Sequence, residues 1–507
     1  MSKKGIILLG FIIAKFILQY TLISPEYDLQ RDEYLHLDQA HHLAWGYISV
    51  PPLTSWISLL IHYLGNSVFW VKFFPALFGA LTMVIVWKTI ESLNGSLAAL
   101  ILGASCILFS ALLRLNILYQ PNSLDVLSWT SFYYIVIKYI QTNKPKWLYV
   151  AALVFAIGFL NKYNIVFLLI GLIPALLISE HRKLLRQKHF FLAILMAFLF
   201  ILPNLIWQFR NDFPVLHHLR QLADTQLVFV NRWDFLKSQL FFFFGAFFVI
   251  LAAFYALLFY RPFKKFRFFF FVLVFTLAVF MYFKAKDYYA IGLYPIYIAF
   301  GAVYLENHLK TGWKKYLLAT LIVMPLLAFI PMSRVFFPNR SPQYIIQNAA
   351  AYQKMGLLRW EDGKDHTLPQ DFADMLGWKA LAEKVDSIAS GLPHPEQTLI
   401  LCDNYGQAGA INYYKKNKQI TATSFNADYI NWFDLNMIIT DVILVKEMDD
   451  DDKNRTKEVP FFDKVYLAGK RIDPLAREQE ISIYVLRGAR IDVQERIQKE
   501  ILEKKKY

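Results

Sequence analysis

The chain of 507 residues is 56% hydrophobic and 17% aromatic, with 45 phenylalanines and a mean hydropathy of +0.36, a composition that belongs to integral membrane proteins and excludes an ordinary globular domain. Its formal net charge of +14 comes mostly from Lys and Arg beside and between apolar stretches, without a basic stripe interleaved with stacking aromatics. It therefore reads as topology information, with no nucleic-acid partner.

The first apolar span, about Gly5 to Ser24, follows Lys3-Lys4, exceeds the length of a signal-peptide core and has no small-residue cleavage site, so a retained helix is expected. Further stretches of membrane-spanning length follow at about 68 to 90, 96 to 113, 121 to 140, 147 to 161, 163 to 179, 189 to 209, 238 to 260, 266 to 283, 287 to 305 and 315 to 334. The stretch at 50 to 64 is too short and too Pro-rich to count. The total is about eleven spans, within an expected range of about 11–13.

With the N-terminus inside, the inner connections carry Lys138/Lys144/Lys146, Arg182/Lys183/Arg186/Lys188, Arg261/Lys264/Lys265/Arg267 and Lys310/Lys314/Lys315, the positive-inside distribution. The same alternation puts 25–67, 114–120, Lys162, 210–237, 284–287 and everything after 335 on the outer side. The chain changes character near Pro338. An amphipathic helix to about Ser390 and strand candidates at 398–402, 438–445, 462–467 and 481–487 predict a small α/β domain. The fold class is thus a polytopic α-helical membrane protein, with a membrane domain over 1–337 that includes a first outer loop at 25–67. An extracytoplasmic α/β domain follows over 338–507. Cys106 and Cys402 leave neither a disulfide framework nor a cysteine metal site, and the acidic run Asp449 to Asp452 reads as a solvated loop, lacking the Gly and spacing of a calcium loop.

Ionisable groups at the membrane edge are costly and point to function. The first outer loop concentrates them around Arg31-Asp32-Glu33-Tyr34, on a segment patterned as an interfacial helix. There Asp32 reads either as a helix N-terminal acid complementing the dipole or as a general base. Asp125 enters the membrane from the same face, and reads as a helix-bonding polar residue or as part of that site. Lys162 and Lys286, the latter in Lys284-Ala285-Lys286-Asp287-Tyr288-Tyr289, break apolar sequence at outer turns. Cations there either snorkel or bind a phosphate. His217-His218 form a second outer cluster suited to hydrogen bonding of acceptor or phosphate. An adjacent pair alone does not supply metal geometry, so no cofactor is assigned, and a divalent metal stays an open alternative that the sequence does not support.

In order, these elements resemble the GT-C superfamily of polyprenyl-phosphate-sugar-dependent glycosyltransferases, bacterial branch, related to protein O-mannosyltransferases and the lipid A aminoarabinose transferase. The matching stretches are Arg31-Asp32-Glu33-Tyr34, Ala44-Trp45-Gly46-Tyr47 with Pro51-Pro52-Leu53, the Asp125 span, Lys284 to Tyr289 with Tyr294-Pro295, and Asn404-Tyr405-Gly406-Gln407-Ala408-Gly409-Ala410. The resemblance implies inverting transfer of a sugar from a polyprenyl monophosphate to a lipid, glycan or protein acceptor, at the outer face of the bacterial cytoplasmic membrane. Asp32 would be general base with Glu33 as its understudy. Lys162, Lys286 and Arg31 would hold the donor phosphate, and Asp125, Tyr288, Tyr289, His217 and His218 would complete the pocket. The chain departs from the pattern at one place: aminoarabinose-type relatives carry Glu-Lys before the Pro-Pro pair, where this chain has Ser49-Val50. Metal binding and phosphate handling therefore do not carry over at that position.

The competing class is a transporter that uses the charges as a substrate path. Against it, the charges gather on one face rather than near the midplane, and no paired broken helices appear in two halves. A structural or sensory membrane protein is a third reading, which leaves the carboxylates and lysines unexplained. The transferase reading expects Asp32, Asp125, Lys162 and Lys286 to converge on one outward-opening cavity.

Overall fold

Every apolar stretch named above is helical in the computed structural model, which describes residues 2–505. In a long apolar run the intrahelical bonds are the only partners for the backbone, so helix is the conformation that leaves no polar group bare. Lys3–Thr21, Val68–Ser92, Lys188–Arg210, Asp287–Leu309 and Lys314–Phe336 are long and apolar enough to cross a membrane as single helices. The remaining stretches are shorter or broken: the apolar run at 238–260 splits into Arg232–Phe241 and Phe247–Phe259, bent by 67° about a turn at Phe244–Ala246.

The chain divides into two compact units. The first takes residues up to Ile23, Trp45–Thr54 and Asn66–Asn339, and is built of helices around one apolar core that includes Trp129, Tyr133, Phe269, Phe280 and Phe300. The Trp45-Gly46-Tyr47 segment is seated on helix Lys188–Arg210: Asn204 Nδ2 donates to Trp45 O at 2.7 Å, and a Cβ at Gly46 would strike the Trp207 ring. Glycine is required there for the close approach of backbone to ring.

The second unit takes Ser24–Ala44, Ser55–Gly65 and the chain from Arg340 onward. Its sheet has β1 (Thr398–Cys402), β2 (Ala422–Ser424), β3 (Asp441–Glu447), β4 (Phe462–Ile472) and β5 (Glu480–Ala489), in the order β2-β1-β3-β5-β4. β1 runs parallel to β2 and β3, and β5 is antiparallel to β3 and β4. Strand β2, with only three residues, lies below the length at which alternation is legible, and no strand was expected there.

The first outer loop was expected to go with the membrane domain; its helical part instead folds into this α/β unit. Helix Arg31–Asp38 lies against helix Tyr405–Tyr414, whose Gly406 and Gly409 allow the approach. Asp38 Oδ2 accepts from Asn412 Nδ2 at 2.7 Å and from the Tyr429 hydroxyl at 2.6 Å, Gln39 Nε2 donates to Asp428 at 2.9 Å, and His42 stacks on Trp432 at 4.3 Å. Polar pairs of this kind join segments hundreds of residues apart, and no pattern local to 25–67 announces them.

Candidate functional site

In the first unit, helix Asn122–Thr142 presents Asp125 in its first turn, buried. Burial of a carboxylate demands hydrogen bonds, and both oxygens have them: Trp129 Nε1 donates to Oδ1 at 3.1 Å and Asn164 Nδ2 to Oδ2 at 2.8 Å. The same Asn164 amide donates to Tyr289 O at 3.0 Å, tying the turn at 162–165 to the segment after Lys286. Helix Lys146–Asn161 ends where Lys162 turns extended, and Asn161 Nδ2 pins that end to Pro121 O at 2.8 Å.

Lys162 Nζ donates to Asn122 Oδ1 at 2.7 Å and stands 4.3 Å from the centre of the Tyr289 ring and 5.3 Å from that of Tyr288. Ring faces attract the ammonium but do not neutralise it. Burial pulls the Lys162 ammonium down to about 8; Asp125 works against that, and the charge of Lys286 adds to it. Burial and the same Lys286 charge also push the His218 imidazole below its usual range. Asp125, Lys162, Lys286, Tyr288, Tyr289 and His218 are thus brought together. His217 is not: it lies exposed on helix Pro214–Thr225, its Nε2 3.1 Å from Asp212 O in its own turn. The electrostatic outcome is two lysine charges acting beside one buried carboxylate, with the His218 imidazole disfavoured in its charged form and left as a hydrogen-bonding group, an arrangement that suits a bound anion.

In the second unit, Asp32 sits in the first turn of helix Arg31–Asp38. Gln30 caps that helix by accepting from Asp32 N at 2.8 Å. Glu33, an acid proposed from sequence as understudy base, is fully buried, and its Oε2 accepts from Gln30 N at 2.7 Å to close the reciprocal half of a capping box. This gives Glu33 a structural task that a base exchanging protons with substrate would have to abandon. Asp32 Oδ1 accepts from the Tyr405 hydroxyl at 2.6 Å, and the Arg31 guanidinium lies over the Tyr405 ring at 4.5 Å.

Tyr405 opens the helix that follows β1. Its N-cap Asn404 accepts from Gly406 N and Gln407 N while its amide donates to Glu447 at 2.6 Å and Glu478 at 2.8 Å. Burial and the neighbouring Glu478 push the Glu447 carboxyl up. The Asn404-to-Ala410 run therefore holds glycines for helix packing, at the end of β1, the strand with β2 on one side and β3 on the other, and such a switch in strand order is the usual place for functional groups in open α/β sheets.

Sequence reasoning did not single out Asn122, Trp129, Asn164 or Tyr405. A partial signal existed: Tyr405 stands in the Asn404-to-Ala410 stretch, and Asn122 and Asn164 lie within three positions of Asp125 and Lys162. The acidic run at 449–452 is tied up locally, Asp450 with Arg455 at 2.5 Å and Lys446 at 3.2 Å, and Asp452 with the amides of Thr456 and Lys457. Among the described residues, no group of three or more His, Cys, Asp or Glu is arranged to hold a metal ion. Cys106 and Cys402 are buried free thiols.

Proteins of known structure share this fold. The structure resembles that of ArnT from Cupriavidus metallidurans bound to undecaprenyl phosphate, with a TM-score of 0.61 at 12% identity over 96% of this chain and 98% of that one. The apo state of the same protein gives 0.60 at 13% identity over the same shares. The dolichyl-phosphate-mannose-protein mannosyltransferase family model matches residues 49–207. The lipid A galacturonosyltransferase RgtD of Rhizobium johnstonii is 23% identical over 232 residues, 45% of this chain and 47% of that protein, so the match spans about half the length of this curated relative. The chain shares the fold of the ArnT structures, and the family match is confined to residues 49–207.

Proposed function

We propose that the protein transfers a sugar from a polyprenyl-phosphate carrier to a lipid, glycan or protein acceptor. It would work in the bacterial cytoplasmic membrane, with the α/β unit extracytoplasmic. The observation that carries this reading is the Lys162 ammonium against the Tyr288 and Tyr289 rings, with the buried Asp125 carboxylate and the Lys286 charge both acting on it. A departing lipid phosphate develops negative charge, and fixed cations in a dry setting stabilise it most. Lys162 and Lys286 take that role. Arg31, whose guanidinium lies on Tyr405 in the α/β unit, serves the acid beside it in the chain. The likeness to an undecaprenyl-phosphate-bound protein supports the carrier class.

Asp32 is the general base. It takes the proton of the acceptor hydroxyl as that oxygen bonds to the anomeric carbon; the bond from that carbon to the phosphate oxygen breaks on the opposite face, and the carrier phosphate leaves with the electron pair. The configuration inverts. Glu33, committed to its capping box, keeps the helix that carries Asp32 in place. Asp32→Asn is expected to lower transfer by about 10²- to 10⁴-fold, the range for loss of a general base, with carrier binding retained. Transfer at the wild-type rate in Asp32→Asn membranes would remove the proposal.

A further inference from the structure

We infer that Tyr405 is a positioning residue for Asp32, an inference that rests on the transferase reading above. Asp32 lies half-buried in the first turn of its helix, and a carboxylate side chain can adopt more than one staggered rotamer. The Tyr405 hydroxyl at 2.6 Å from Oδ1 selects one of them, and a hydrogen bond to an ionised group is among the stronger ones available.

What makes Tyr405 able to do this is the rigidity of its own seat. It is the first residue of helix Tyr405–Tyr414, directly after β1 and the cap Asn404. Asn404 is anchored by Glu447 and Glu478, and Gln407 one turn along donates to the second oxygen of Glu478 at 2.8 Å while accepting from Asp403 N at 3.0 Å. The ring is held from above by the Arg31 guanidinium at 4.5 Å. Gly406 brings the two helices close enough for the bond to form, since a Cβ there would stand 3.3 Å from Arg31 Cβ. A carboxylate that must meet an acceptor hydroxyl in line with the anomeric carbon gains from being fixed before substrate arrives, because misplacement by about 1 Å costs on the order of 10²-fold in rate.

The test uses the full-length protein and compares Tyr405→Phe, which keeps the ring beneath Arg31, with Asp32→Asn and with the double variant. Tyr405→Phe is expected to lower kcat by about 10- to 100-fold with KM for the polyprenyl-phosphate sugar within about 3-fold of wild type. The double variant should be no slower than Asp32→Asn alone, since a positioning effect vanishes with the group it positions. Wild-type kcat in Tyr405→Phe while Asp32→Asn is inactive would overturn this inference and leave the transferase reading standing. So would a double variant slower than Asp32→Asn by the full Tyr405→Phe factor. Full activity of Asp32→Asn would instead overturn the transferase reading itself.

Discussion

Gly409 offers a sharp test of how Asp32 is placed, because two physical effects predict opposite signs for Gly409→Ala. It lies within helix Tyr405–Tyr414, and helix propensity alone predicts a gain of about 1 kcal/mol for alanine over glycine. Packing predicts the reverse. An added Cβ would stand 2.7 Å from Tyr34 Cβ, 2.9 Å from the Tyr429 hydroxyl and 3.1 Å from the Tyr34 carbonyl carbon. Relief requires the helices to part by about 0.7 Å, the difference between 2.7 Å and the 3.4 Å at which ordinary contact begins. Tyr34 is buried and its backbone cannot rotate away, so the overpacking cost of about 1–3 kcal/mol falls toward its upper end. The net expectation is a loss of about 1–2 kcal/mol, or roughly 2–8 °C in the melting temperature of the α/β unit. Tyr34 and Asp32 share one helix, so the displacement also separates Asp32 from Tyr405, and transfer should fall by about 10-fold or more. Thermal unfolding in detergent and a radiolabelled-donor transfer assay read the two effects, with Gly10→Ala as control, a helical glycine with nothing within 4 Å of its added Cβ. A Gly409→Ala protein that melts higher than wild type and transfers sugar normally would refute the packing argument.

Lys162 should set the alkaline limit of the reaction. Its ammonium is lowered to about 8, so the free enzyme loses the cation as pH rises through that value. The kcat/KM for donor should then fall with a midpoint near it, because this ratio reports the free enzyme. Lys162→Arg should extend activity to higher pH, since a guanidinium stays charged there, and an unchanged limb in that variant would count against the assignment. Asp125 raises the Lys162 value, so Asp125→Asn should move the same limb to lower pH. Asp125→Ala leaves the buried donors Trp129 Nε1 and Asn164 Nδ2 without their acceptor, and should destabilise by about 1–3 kcal/mol per orphaned donor. A Tm equal to wild type in Asp125→Ala would contradict the bonding seen around it.

The membrane character, the helical stretches and four of the five strands could be read from Phe-rich runs, Lys and Arg placement and short apolar strands, because hydropathy and period are local properties of a chain. Lys162 and Asp125 stood out for the same reason: a charge in an apolar run is visible without coordinates. What no local pattern carried is partnership. The folding of the first outer loop onto the α/β unit, the meeting of Asp32 with Tyr405 across 373 positions, and the separation of His218 from His217 were decided by tertiary structure, whereas the capping box of Gln30 and Glu33 is a local pairing three residues apart. Hydrogen bonds and close helix contacts select residues by where the backbone brings them, and sequence separation places no limit on that choice.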